Sequence, residues 1–186
     1  GRFGYQKSGM TCSGVMDTAA YRKANYLVGN EEGAAVLEMT LYGGSCRFEE
    51  DTVIALTGAD MQSTVNQKSI AMNQAVKVPA GGVLNLGMAK TGCRTYLAVA
   101  GGFEVPKVMG SYSTNLKCGI GGHEGRALQM GDELPIGEAL HSWDEVKDRK
   151  VSVPDSPKEV LVSVVPGPQE EYFTEAGIHH FYSESY

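Results

Sequence analysis

Between Asp17 and Gly29 the apolar residues recur with the period of a helix. Ala20, Ala24, Leu27 and Val28 fall at i, i+4, i+7 and i+8, one stripe on a helix expected from Thr18 to Val28. Asp17 supplies the start, because its carboxylate accepts the unpaired N–H groups of the first turn, and Gly29 supplies the stop. Beyond it the period drops to two. Leu37, Met39 and Leu41 alternate with Glu38, Thr40 and Tyr42, the pattern of a strand with one face in a core. Gly43-Gly44 ends that strand, and Glu49-Glu50-Asp51 makes a charged turn before a strand over 52–57. Further strands are predicted over 64–66, 69–72, 75–78, 83–86 and 94–99. Their turns are Gln67-Lys68, Pro79-Ala80-Gly81-Gly82 and Lys90-Thr91-Gly92.

Short strands at this spacing, joined by glycine-rich turns, predict a β-barrel or sandwich, and the 24 glycines serve turns that need positive φ. Residues 130–136 read as a turn leading into a strand, and 137–150 as a polar connector. A continuous β-branched run over 160–165 predicts another strand, closed by Pro166-Gly167-Pro168. Residues 169–180 predict a second helix anchored by Phe173, Ile178 and Phe181.

Composition narrows the function classes. The 186 residues suffice for one good core and the beginning of a second. A net charge of −6 with no Lys/Arg cluster argues against nucleic acid as a partner. The apolar runs, such as 96–100, are too short to span a bilayer, so no membrane partner is expected. No secretory leader pattern is present, although Gly1 is not a natural start. Cys12, Cys46, Cys93 and Cys118 form no Cys-x-x-Cys pair; they read as reduced thiols of a cytoplasmic protein, with no metal site expected. His179-His180 lacks a third ligand nearby.

Four stretches carry candidate chemistry. Arg2, Tyr5, Gln6, Ser13 and Asp17 sit in a polar, glycine-studded segment ahead of the helix. Such a segment can bind a ligand through free N–H groups, although Asp17 opposes an anion there and otherwise only caps the helix. Asp60 closes Leu56-Thr57-Gly58-Ala59-Asp60 at a strand end, where it can orient a substrate amine, act as a base, or stabilise an Asx-type turn. Small residues over 98–102 permit close backbone approach, and Ser111, Ser113 and Thr114 follow with hydroxyl groups. No Gly-x-Ser-x-Gly elbow is present, which argues against a serine hydrolase. Finally, Gly119-Ile120-Gly121-Gly122-His123-Glu124-Gly125-Arg126 can wrap a phosphate or carboxylate, with Arg126 as a bidentate clamp. It is neither a Walker loop nor a dinucleotide fingerprint.

Taken in order, these blocks resemble one family. They are Gly1 to Gln6, Ser13 to Asp17, Ala24 to Asn30, Leu37 to Leu41, Ala55 to Asp60, Arg94 to Gly102, Gly110 to Thr114, Gly121 to Arg126, Gly131-Asp132 and Pro166 to Gln169. The chain is similar to the biotin-dependent carboxyltransferase-like proteins along nearly its whole length. That family includes the C-type subunit of bacterial 5-oxoprolinase, the carboxyltransferase part of urea carboxylase, and an antagonist of a histidine-kinase inhibitor. The resemblance implies a mainly β, cyclophilin-like barrel with one short N-terminal helix. Residues 1–150 would form this first barrel domain, and 151–186 the start of a second, truncated one.

The activity implied first is that of a 5-oxoprolinase component, opening the lactam of 5-oxo-L-proline to L-glutamate. ATP would be co-substrate, and the partners a homologous barrel protein of the B type and a further component of the A type. The alternatives are the carboxyltransferase component of a urea carboxylase, which uses carboxybiotin, and the non-catalytic antagonist. Under the resemblance Asp60 and Arg126 are the catalytic candidates. Tyr5, Gln6, Ser13, Asp17, Ser111, Thr114, Gly121 and Gly122 are the substrate-binding candidates. The lone Trp143 leaves a sugar-binding barrel without the stacked aromatics it needs.

Overall fold

The computed structural model describes residues 1–153 and 159–185, and the chain divides into two compact units, Gly1–Val153 and Pro154–Tyr186. The first unit is built on two four-stranded antiparallel sheets. One has the order β1 (Leu37–Thr40), β8 (Thr91–Val99), β3 (Thr52–Asp60), β6 (Ala75–Val78); the other has β2 (Ser45–Arg47), β7 (Val83–Asn85), β4 (Thr64–Val65), β5 (Lys68–Ser69). Helix α1 (Thr18–Val28) packs on the first sheet. The fold is therefore mainly β with one N-terminal helix, as the pattern and the resemblance imply.

The central strands explain the architecture. On β3, Val53 and Ala55 face α1, whose Ala20, Ala24, Leu27 and Val28 stripe is buried against them together with Tyr96 and Ala98 of β8. Ile54 and Leu56 point the other way, into a second cluster with Leu97, Val99, Phe48, Met61, Val65, Leu84 and Leu86. Strands buried on both faces cannot alternate polar with apolar, so β3 over 53–57 and β8 over 95–99 are unbroken, mostly apolar buried runs. Each fully buried leucine or isoleucine here contributes about 1.5–3 kcal/mol of transfer free energy. Helix α1 begins and ends where its caps predict: Asp17 Oδ1 accepts from Ala20 N–H at 2.9 Å, and Gly29 closes it at φ 78°.

Elsewhere the structure redraws the sequence pattern. Leu41 leaves β1 at φ 62° with its side chain exposed, so the alternation stops at Thr40. The β4–β5 turn is Asn66-Gln67, one residue earlier than expected. Both residues have positive φ, which matches the twist of a two-residue hairpin. Strands β3 and β8 run three residues further than the pattern suggested, to Asp60 and back to Thr91. Strand β2 went unread beside Gly43-Gly44, with Cys46 its one inward residue.

The 130–136 stretch turns at Gly131 but forms no ladder, only the single bridge Ile136–Phe103. The supposed connector over 137–150 contains helix α2 (Trp143–Val146), whose Val146 is fully buried. In the second unit residues 160–165 are not a strand. They run without a ladder partner among the described residues, and Val160, Leu161, Val162, Val164 and Val165 are exposed. A β-branched run makes a strand only when a neighbour takes up its N–H and C=O groups. A 3-10 turn at Glu170–Tyr172 precedes helix α3 (Glu175–Ser183), which Thr174 caps by accepting from Gly177 N–H.

Candidate functional site

The N-terminal arm and the loops after β8 meet around one side chain. Arg2 is fully buried, and its guanidinium donates to the Ser113 carbonyl and, at 3.2 Å, to the Ser113 hydroxyl. Ser113 Oγ lies 2.9 Å from the hydroxyl of buried Ser111. Gly121 stands directly against the guanidinium, at φ 72°, and a Cβ there would overlap both Arg2 Nη2 and the Ser113 carbonyl. A Cβ at Gly122 would overlap the Thr114 hydroxyl. The glycines are thus required by close approach as well as by backbone angle. Four of the expected binding residues, Ser111, Thr114, Gly121 and Gly122, therefore do converge.

At their centre is Arg2, already one of the N-terminal ligand-binding candidates, which meets Ser113 and Gly121. Its signal was an arginine set between glycine and an aromatic residue in the first matched block. The other four binding candidates are arranged differently. Tyr5 is partly exposed and its carbonyl closes a 3-10 turn, accepting from Ser8 N–H. Gln6 Oε1 accepts from Gly4 N–H, and its amide donates to Cys12 Sγ. Ser13 is exposed at φ 51°. Asp17 spends its carboxylate on the helix cap, while its own N–H donates to Tyr96 Oη at 2.8 Å. Burial pushes the Tyr96 phenol up to about 12, so it stays protonated.

Arg126 is also committed. Its Nη1 and Nη2 hold both oxygens of Asp132 at 2.7 and 2.8 Å, and Nε and Nη2 hold Glu124 Oε2 at 3.0 and 2.7 Å. This double grip raises the guanidinium's pKa, through Asp132 first and Glu124 second. The Asp132 carboxyl is held well below its usual range by Arg126 and then by the Gln129 N–H. His123 Nε2 stands 3.6 Å from Asp132. The arrangement fastens the end of the glycine-rich loop to the Gly131 turn, and Arg126 reaches an anionic substrate only by exchanging one of these carboxylates.

Asp60 lies at the far end of β3. Its Oδ1 accepts from Gln62 N–H at 2.8 Å, an Asx turn, and its carbonyl accepts from Lys90 N–H. Asp60 and Arg126 share no hydrogen bond or ion pair among the described residues.

One open cleft of about 590 Å³ lies on the first unit. It is framed by the Gly101-Gly102 turn and lined by Asn30, Glu104, Lys107 and Tyr112 among others. Asn30 builds its floor: Nδ2 donates to the Val99 carbonyl at 2.8 Å, and Oδ1 accepts from Gly101 N–H at 2.9 Å. The Lys107 ammonium sits 4.9 Å from the centre of the Tyr112 ring. Asn30 was legible only as the end of a matched block, and Lys107 carried no signal. Among the described residues no helix is long and apolar enough to cross a membrane.

Comparison with known proteins places the chain in a family. The family model for the carboxyltransferase domain, subdomain A and B, matches residues 8–186. The chain is 40% identical over 182 residues to the C-type 5-oxoprolinase subunit of Escherichia coli (strain K12), covering 98% of this chain and 57% of that protein. It is 37% identical over 194 residues to urea amidolyase of Saccharomyces cerevisiae, covering all of this chain and 11% of that one. The crystal structure of Kluyveromyces lactis urea carboxylase superposes with a TM-score of 0.78 at 34% identity, covering 99% of this chain and 17% of that one. The chain thus spans little more than half the length of the first of these relatives and a small fraction of the others.

Proposed function

Because the chain belongs to the carboxyltransferase-domain family of subdomains A and B, we propose that it works as part of an ATP-dependent 5-oxoprolinase. The observation that carries this is the 40% identity to a C-type 5-oxoprolinase subunit across 98% of the chain. A C-type component implies companions, and the proposed partners are an A-type component and the homologous B-type barrel protein.

The chemistry sets what such a complex must supply. Amide resonance makes the lactam a poor electrophile. Phosphorylation of its oxygen by ATP activates the carbon; water then adds, and the ring C–N bond breaks as nitrogen takes a proton. A second water releases phosphate from the resulting acyl phosphate, leaving glutamate. The steps need a base and a cationic or N–H-rich cradle. In this proposal Asp60 orients the lactam N–H or activates water through the oxygen that its Asx turn leaves over. Arg126 neutralises phosphoryl charge by exchanging Glu124 or Asp132 for it.

The test is glutamate and ADP formation from 5-oxoproline and ATP, with the natural full-length protein and its partners. Both products should form together and vanish when this component is omitted. Asp60→Asn should lower turnover by about 10²-fold or more, and Arg126→Lys should raise KM for ATP or lower turnover. Unchanged kinetics in both variants would remove these roles while leaving the membership of the complex standing.

A second reading rests on the 37% identity to urea amidolyase over the whole chain. It makes this a carboxyltransferase component, with carboxybiotin as donor and urea as acceptor. Urea-dependent loss of carboxybiotin, with no glutamate formed, would select it.

A further inference from the structure

The arginines of the first unit divide unevenly. Arg22, Arg47, Arg94 and Arg126 are accessible and each meets a carboxylate: Glu32, Glu49, Glu38, and Glu124 with Asp132. Arg149 donates to the Tyr26 carbonyl. Arg2 is the fully buried one, and among the described residues it meets no carboxylate. Its side-chain hydrogen bonds go to the carbonyl and hydroxyl of Ser113, and its Nε–H has no acceptor among the described residues. A buried guanidinium satisfied by neutral oxygens alone is costly, because a cation taken out of water needs a matching charge or a full set of acceptors. The surroundings suit an anion. Ser111 and Ser113 bring hydroxyls linked at 2.9 Å, and Gly121 is bare of the Cβ that would push the guanidinium away.

We propose that Arg2, with the hydroxyls of Ser111 and Ser113, forms a receptor for a small oxyanion at the Gly119–Gly122 loop. The ligand chemistry is a planar or tetrahedral group with two oxygens for the guanidinium fork, a carboxylate or a phosphate. Arg2 is thereby an anion anchor separate from Arg126, whose donors are held by its own carboxylates. Access runs through the arm. Residues 3–9 are exposed, and the hydrogen bonds joining residues 1–12 to the rest run from Arg2 to Ser113 and from Asn115 to Met10 and Thr11. An incoming oxyanion competes with the Ser113 oxygens for the same donors.

The experiment titrates the full chain by calorimetry with inorganic phosphate, with acetate, and with chloride at matched ionic strength. One oxyanion should bind one-to-one where chloride does not: phosphate if the site takes phosphoryl groups, acetate if it takes carboxylates. Arg2→Gln should weaken that binding at least tenfold. Ser111→Ala and Ser113→Ala, which leave the cation in place, should weaken it severalfold with near-UV dichroism unchanged, and they decide the matter if Arg2→Gln does not fold. Absence of binding by both oxyanions, or binding that these variants leave unaltered, overturns the proposal. Because no product is measured, that failure is distinct from failure of the oxoprolinase reading.

Discussion

Gly58 governs where Asp60 points. It sits at φ 86°, and a Cβ on it would overlap the Arg94 carbonyl of the neighbouring strand. The ladder between β3 and β8 slips here: Gly58 pairs with Thr95, but Asp60 pairs with Thr91. Two steps along β3 are thus matched by four along β8, a bulge of the kind that re-aims a side chain at a sheet edge. The Thr95 hydroxyl ties the bulge down by donating to the Ala59 carbonyl at 2.6 Å. Gly58→Ala must either adopt left-handed backbone with a Cβ or push β8 away. The expected loss is about 1–3 kcal/mol of unfolding free energy, read from urea denaturation. A loss below a few tenths would mean that the bulge relaxes freely, and that Asp60 is not held by it.

One carboxylate holds the first turn of helix α2, beside the packing of Val146 and Trp143. Glu145 accepts from both the Ser142 N–H and the Ser142 hydroxyl at 2.8 Å, completing a capping box on a helix of four residues. Those bonds, the backbone one first, with a contribution from His141, hold the Glu145 carboxyl down at about 2. A folded-state value below the ordinary one of about 4.3 means stabilisation that is complete above that pH and is lost as pH falls through the folded value. Trp143, the only tryptophan, is on this helix and half-buried, so its fluorescence reports the event. The emission should shift to the red as pH falls from about 4 to 2, and this step should be absent in Glu145→Gln. An identical acid profile in the variant would assign the transition to other carboxylates.

The same helix marks the limit of what sequence pattern discloses. Helix α1 was legible to the residue because cap, stripe and terminal glycine agree. Strand β6 was legible because Pro79 and the following glycines bound it. Helix α2 was not, because a single turn shows no period, and only Ser142 and Glu145 three apart gave a sign of it. The β-branched run over 160–165 misled for the opposite reason: its propensity is strong, and among the described residues no neighbour completes it. For the site, glycines and hydroxyls marked the loops that converge. Arg2 was marked by its glycine-studded segment, but its burial against Ser113 left no local signal, because that partner lies 111 residues away.

At the scale of the molecule, the buried residues among those described all fall in the first unit. The two apolar clusters draw on residues 15–151, while residues 159–185 contribute no buried side chain and only Ile178 is half-buried. Helix α3 has nine residues and leaves Phe181 and Tyr182 exposed. A helix that short is marginal in water without tertiary support. We therefore propose that residues up to Val153 are a complete folding unit, and that the remainder opens a second domain. A chain ending at Val153 should unfold in one cooperative transition. Its urea midpoint should equal that of the full chain, with an m-value the same within about 10–15%, because m follows the area exposed on unfolding and residues 159–185 bury almost none. A midpoint lowered by more than about 1 M would remove a free energy equal to m times that shift, about 1–3 kcal/mol. That outcome would put part of the first unit's stability beyond Val153 and end the two-domain proposal.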